Sequence, residues 1–158
     1  RHAIVSPAST RGLEFDEAAV REVVAESAGY PYFLQEYGLE LWNHTEASPV
    51  TVEDVAEVQE IVSDSLARVF FGTRFEMATD AEQRYLAAVA SLGDPPYRTA
   101  DAARAYGARD QRGVSMHRDS LIGKGLIWSP RRGQVDFTVP LFAQYLRETH
   151  PLSGFDDP

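Results

Sequence analysis

Residues 114–139 read VSMHRDSLIGKGLIWSPRRGQVDFTV. Val114–Lys124 carries apolar side chains at helical spacing, and Gly125 follows as a stop. Leu126-Ile127-Trp128-Ser129 and Val135-Asp136-Phe137-Thr138-Val139 are rich in aromatic and β-branched residues, with Pro130-Arg131-Arg132-Gly133 between them. That pattern predicts two strands joined as a hairpin.

Working upstream, Thr79 and Glu82 have the spacing of a capping box. Tyr85, Leu86, Val89 and Leu92 then form one apolar face, and Gly93 stops the helix. Asp94-Pro95-Pro96 is a turn, Thr99 reads as an N-cap, and a short helix Ala100–Tyr106 ends at Gly107. The loop Ala108–Gly113 leads into the helix of the opening stretch. Beyond the hairpin, Leu141–Glu148 presents Leu141, Phe142, Tyr145 and Leu146 as a last helix. Three helices followed by a hairpin is the order of a winged helix, expected over residues 79–150. The helix before the hairpin then stands in the recognition position of a helix-turn-helix.

The first half reads as helices only. Asp16 is an N-cap before Val20, Val23 and Val24, and Gly29 ends that helix. Pro31–His44 carries Tyr32, Phe33, Tyr37 and Trp42, which predicts burial on several sides. Thr51 with Asp54 opens a helix of about twenty residues, whose apolar period runs to Phe70 and Phe71. The fold class is therefore mainly α, with a helical subdomain over 1–75, the winged helix over 79–150, and a tail over 151–158.

Charge divides along the same line. Residues 1–78 hold five basic and fourteen acidic side chains, and residues 79–150 hold ten and eight. The balances, −9 and +2, predict two parts that face different partners. The tail adds Asp156 and Asp157. No apolar run approaches the ~20 residues of a membrane span, so no membrane partner is expected. The chain has no cysteine, which excludes disulfides, thiolate chemistry and Cys-based zinc sites and is compatible with the cytoplasm. His2, His44, His117 and His150 are scattered without metal-ligand spacing. The start at Arg1, without Met and without a signal-peptide pattern, gives the expectation of a piece of a longer protein.

Catalytic motifs are missing. Gly123-Lys124 invites comparison with a phosphate-binding loop, but Arg118 stands where its first glycine belongs and Gly125 where its hydroxyl residue belongs. The lysine also sits at a helix end, where it reads as a terminal cation. No serine has a nucleophile-elbow context, and pairs such as Asp16/Glu17 and Glu53/Asp54 fall in first turns of helices, where they satisfy the dipole. No enzymatic activity and no cofactor are expected of this stretch itself.

Three phrases carry a resemblance. They are Ala28-Gly29-Tyr30-Pro31-Tyr32-Phe33-Leu34-Gln35-Glu36-Tyr37-Gly38, Asp119-Ser120-Leu121-Ile122-Gly123-Lys124-Gly125-Leu126-Ile127 and Phe137-Thr138-Val139-Pro140-Leu141-Phe142. Together they resemble the C-terminal region of bacterial AAA-type ATPases of the STAND/ORC-like group, in which a P-loop core is followed by a small helical lid and a winged helix. The resemblance implies that residues 1–75 are lid-like, that an ATP- and Mg-binding core lies upstream, and that this core is a partner. It aligns no nucleotide-sensing arginine, and Arg11, Arg21, Arg68 and Arg74 stay candidates.

A winged helix suggests duplex DNA as a partner. Arg104, Arg109, Arg112, Arg118 and Lys124 lie around the second and third helices, with Arg131 and Arg132 at the hairpin tip. At 100° per residue, Val114, Arg118, Leu121, Ile122 and Gly125 face inward, while Arg112, Met116, Asp119, Ser120 and Gly123 face outward. That outward face is nearly neutral, so Arg109, Arg112, Arg131 and Arg132 are the candidate DNA contacts. Arg118 is expected to pack its stem on the core with its head paired. Met116, Tyr97, Tyr106 and Trp128 are expected in the core or at its rim. The poorly basic helix face keeps a second reading open, in which the winged helix binds the ATPase core, a protein partner or another copy of itself.

Overall fold

The computed structural model describes residues 14–45 and 48–155. Arg11, His2, Asp156 and Asp157 lie outside the described residues. Two compact units divide at Phe70/Phe71.

The unit ending at Phe70 holds helices α1 (Glu17–Glu26), α2 (Pro31–His44) and α3 (Val52–Ser65). Val20 and Val23 from α1, Phe33, Tyr37 and Leu41 from α2, and Val55, Val58 and Val62 from α3 are buried together as its core. Asp16 occupies the N-cap position of α1 without a side-chain bond. Ala28 and Gly29 both take positive φ beyond the end of α1, and the Gly29 amide closes back on Val24 C=O at 3.0 Å. Thr51 and Asp54 complete their capping box. Helix α2 buries fewer rings than its sequence suggests. Tyr32 and Trp42 remain 38% and 42% exposed, because only the Phe33/Tyr37/Leu41 side faces the core. Tyr32 instead stacks on Phe70, whose ring also meets Phe33 edge-on.

The long third helix does not keep a 3.6-residue period. After Ser65 the chain widens into π-helical winding over Leu66–Gly72, then forms the short helix α4 (Thr73–Glu76). The buried residues Leu66, Phe70, Phe71 and Phe75 are four and five apart, which suits the wider turn, and Val69 is left 61% exposed. The helical subdomain expected over 1–75 compares with a first unit that ends at Phe70. The cause of the division there is aromatic: Phe71 stacks with Phe142 and Tyr145, and Phe75 with His150.

The second unit is helical around a small antiparallel sheet. Helix α5 (Asp80–Ala90) is followed by β1 (Tyr97–Arg98), α6 (Thr99–Tyr106), a 3-10 turn (Gln111–Val114), α7 (Ser115–Gly123), β2 (Ile127–Trp128), β3 (Gln134–Phe137), α8 (Phe142–Thr149) and a 3-10 turn (Leu152–Phe155). The sheet has three strands in the order β1-β3-β2, with Tyr97 opposite Val135 and Ile127 opposite Phe137. Strand β1 was not legible in the sequence, where its two residues follow directly on a proline turn and show no alternation. Helix α5 is not a one-faced helix either. Tyr85, Leu86, Ala87, Ala88, Val89 and Ala90 are all buried, because α6, α7 and α8 each pack on it. Its alanines are small enough to admit neighbours on every side.

Helix α7 ends where Gly125 takes φ +70. The amide of Leu126 reaches Leu121 C=O and that of Gly125 reaches Ile122 C=O, both at 3.0 Å, which turns the chain into β2. Among the described residues no helix is long and apolar enough to cross a membrane.

Candidate nucleic-acid interface

Thr99 is a polar residue at 3% exposure, and its position organises the site. It is the first residue of α6 rather than its N-cap; Arg98 holds the cap position. The Thr99 amide donates to Gly133 C=O at 3.0 Å. Its hydroxyl lies 2.9 Å from Gln111 Oε1 and 3.2 Å from Gly133 O, and its one proton is shared between them. Three segments distant in sequence are thereby tied at one point: the start of α6, the turn before α7 and the β2–β3 turn.

An arginine adjoins each of the three tied residues. Arg98 precedes Thr99, Arg112 follows Gln111, and Arg132 precedes Gly133, with Arg131 one residue further. Arg98 also sits opposite Gln134 in the β1–β3 register. All four are exposed, as is Arg109. Among the described residues none of these five guanidinium groups has a carboxylate within ion-pair distance. Asp110, the nearest acid in sequence, accepts from the amides of Arg112 and Gly113 and so caps the 3-10 turn. The structure thus gathers Arg112, Arg131 and Arg132 and adds Arg98. Sequence reasoning missed Arg98, because its neighbour Thr99 reads as a cap.

The remaining cations near α7 are engaged. Arg104 pairs with Asp101 on its own helix. Arg118 is one-third exposed and donates from Nε and Nη2 to Asp119 Oδ1 at 3.0 and 2.8 Å, so its head is paired with the neighbouring carboxylate. Lys124 donates to Glu82 Oε2 at 2.6 Å and to Met77 C=O at 2.9 Å, so its charge holds the end of α7 against the start of α5. Burial alone would raise the Glu82 carboxyl, which is 4% exposed. Hydrogen bonds from Lys124, Ser120, and the amide and hydroxyl of Thr79 outweigh it and hold the group at about 2. Arg84 lies over the Tyr106 ring, whose hydroxyl is 3.4 Å from His117 Nε2.

The outward face of α7 differs from the helical wheel at two positions. Ile122, expected inward, is 37% exposed, and Gly125 has left the helix. Leu121 alone carries the buried face of the helix proper, and the preceding 3-10 turn supplies Val114. Met116, expected in the core or at its rim, is 80% exposed, because it lies beside Ser120 on the side away from Leu121. Trp128 is 48% exposed on the outer face of the sheet, while Tyr97 is buried.

Of the arginines considered for nucleotide sensing, Arg21 lies 4.0 Å from Glu17 with both side chains exposed, Arg68 is exposed and Arg74 is half-buried. Among the described residues no three His, Asp or Glu side chains form a group that could hold a metal ion.

No curated protein and no solved structure matches this chain. Residues 68–146, half of the chain, match the family described as a domain of unknown function, DUF8462, and the chain belongs to that family.

Proposed function

We propose that the second unit is a winged-helix module that binds duplex DNA. The order helix, strand, helix, helix, hairpin and the strand order β1-β3-β2 support the fold reading. The observation that carries the function is the set of unpaired arginines, Arg98, Arg112, Arg131 and Arg132, drawn together by the bonds of Thr99 to Gly133 and Gln111. Exposed guanidinium groups without carboxylate partners are available to phosphate oxygens, and each phosphate they neutralise releases a counterion. Arg109 extends the set on the approach to α7.

The test is fluorescence anisotropy with a labelled duplex at about 50 mM salt, where phosphate contacts are strong. Arg131→Ala with Arg132→Ala is expected to weaken binding and to flatten its logarithmic salt dependence by about 2, near 0.9 per lost contact. Unchanged binding by the double variant would place the contact on another surface.

The likeness to AAA-type ATPases adds a proposal on context: the module serves a protein whose ATP- and Mg-binding core lies outside these residues. A P-loop motif encoded in the same reading frame is the check. A second reading, protein–protein contact or self-association, draws on Met116 and Trp128, which are large and exposed. Sedimentation of wild type and Met116→Glu measures it, and a monomer at all concentrations speaks against self-association.

A further inference from the structure

Resting on that DNA-binding reading, we infer that the module grips the DNA backbone and does not discriminate base sequence. Sequence is read in the major groove by side chains that present paired donors or acceptors to base edges, chiefly Arg, Lys, Asn and Gln. The exposed positions of α7 are Met116, Asp119, Ser120, Ile122 and Gly123, and none is one of these two-pronged readers; of the weaker ones, Asp119 accepts from Arg118 and Ser120 donates to Glu82. Arg118, the one cation within the helix, has Nε and Nη2 committed to Asp119. Asp119 in turn brings a negative charge to the face that would enter the groove.

Among the described residues of the second unit, the exposed arginines without a carboxylate partner lie off α7. Arg98 stands at the start of α6, Arg109 and Arg112 precede α7, and Arg131 and Arg132 occupy the β2–β3 turn. Arg98, Arg112 and Arg132 adjoin the three residues that Thr99 ties, so this charge flanks α7 and leaves its exposed face nearly neutral. Charge so placed suits phosphates spaced along a duplex, whose contacts fix register and carry no sequence information directly. Five contacts at about 0.9 each give a logarithmic salt slope near −4.5, or roughly a 500-fold loss of affinity from 50 to 200 mM salt.

The experiment uses the full chain and two labelled 20-base-pair duplexes of unrelated sequence, titrated across that salt range, with Arg98→Ala and Arg112→Ala as exposed single variants. The expected result is equal affinity within about threefold, the steep slope on both duplexes, and a slope flatter by about 0.9 in each variant on both. A preference of tenfold or more for one duplex, or a variant that loses affinity on one duplex only, overturns the inference while leaving DNA binding in place. No binding to either duplex at 50 mM salt overturns both.

Discussion

Replacing Lys124 by Met tests how α7 is held. The Lys124 ammonium reaches a carboxylate that is 4% exposed, and the bond spans from the end of α7 to the first turn of α5. Methionine keeps the stem and removes the charge and the donor. Glu82 is held at about 2 against an ordinary value of 4.5, and each tenfold change in proton affinity corresponds to about 1.4 kcal/mol. The ionised carboxylate is thus favoured in the fold by on the order of 3 kcal/mol. Breaking a buried pair by removing one partner costs about 3–5 kcal/mol. Lys124 is itself 29% exposed and Thr79 and Ser120 still donate to Glu82, so about 2–3 kcal/mol is expected at pH 7. The folded value lies below the unfolded one, so this stabilisation is complete above pH 4.5 and is lost as pH falls toward 2. The variant loses it already at pH 7 and shows a shallower pH dependence in that window. Urea denaturation followed by Trp128 fluorescence, in a Trp42→Phe background that silences the other tryptophan, isolates the second unit. A loss below about 0.5 kcal/mol at pH 7, or an unaltered slope between pH 5 and pH 2, would falsify the anchoring role.

Three further outcomes follow from the geometry. Thr99→Val keeps the amide bond to Gly133 and removes the hydroxyl, so Gln111 and the β2–β3 turn lose their common partner; a loss of about 1–2 kcal/mol is expected in the same denaturation assay, together with weaker DNA binding. Gly125→Ala and Gly123→Ala give opposite signs although both sites have open space: at Gly125 (φ +70) a Cβ is strained and costs about 1 kcal/mol or more, whereas at Gly123, the last residue of α7, it adds about 0.5 kcal/mol of helix stability. His150 packs on Phe75 and Tyr145, and burial lowers its pKa, so thermal stability should decline as pH drops below 6.5; His150→Phe should remove that decline, and an unaltered pH profile would reject the attribution.

The helix starts and stops of this chain were largely legible in the sequence, because capping is local chemistry. Pro31–His44, the Thr51/Asp54 box and the turn at Gly125 stand where the residues indicate. What the sequence concealed depends on long-range packing. Strand β1 exists because β3 pairs with Tyr97 and Arg98, and two residues cannot show a period. The π-helical winding after Ser65 reflects where Phe70 and Phe71 find their separate aromatic partners. At the candidate site, Arg112, Arg131 and Arg132 were visible as exposed turn residues. Their gathering was not, since Thr99 is joined to Gly133 across thirty-four positions by one hydroxyl and one amide.

The acids of the second unit are distributed unevenly about its arginines, which bears on the purpose of that gathering. Like charges held close repel, and the standard remedy is an interspersed acid. The remedy is used elsewhere in the second unit: Asp101 answers Arg104, Asp119 answers Arg118 and Glu82 answers Lys124. Around Thr99 it is withheld, in a chain whose acidic residues outnumber the basic ones by nine. Asp110, placed beside Arg109 and Arg112 in sequence, turns its Oδ1 to the backbone amides of Arg112 and Gly113 and forms no ion pair with either arginine. Stability alone does not favour four uncompensated guanidinium groups at the junction of three segments, and a polyanion neutralises them without any acid in the chain. Arg98→Glu, which would supply the missing acid, should therefore raise stability at low salt by a few tenths of a kcal/mol and weaken the proposed DNA binding by more than Arg98→Ala does. If stability falls instead, the arginines are already balanced by contacts within the fold, and their charge no longer calls for a polyanion.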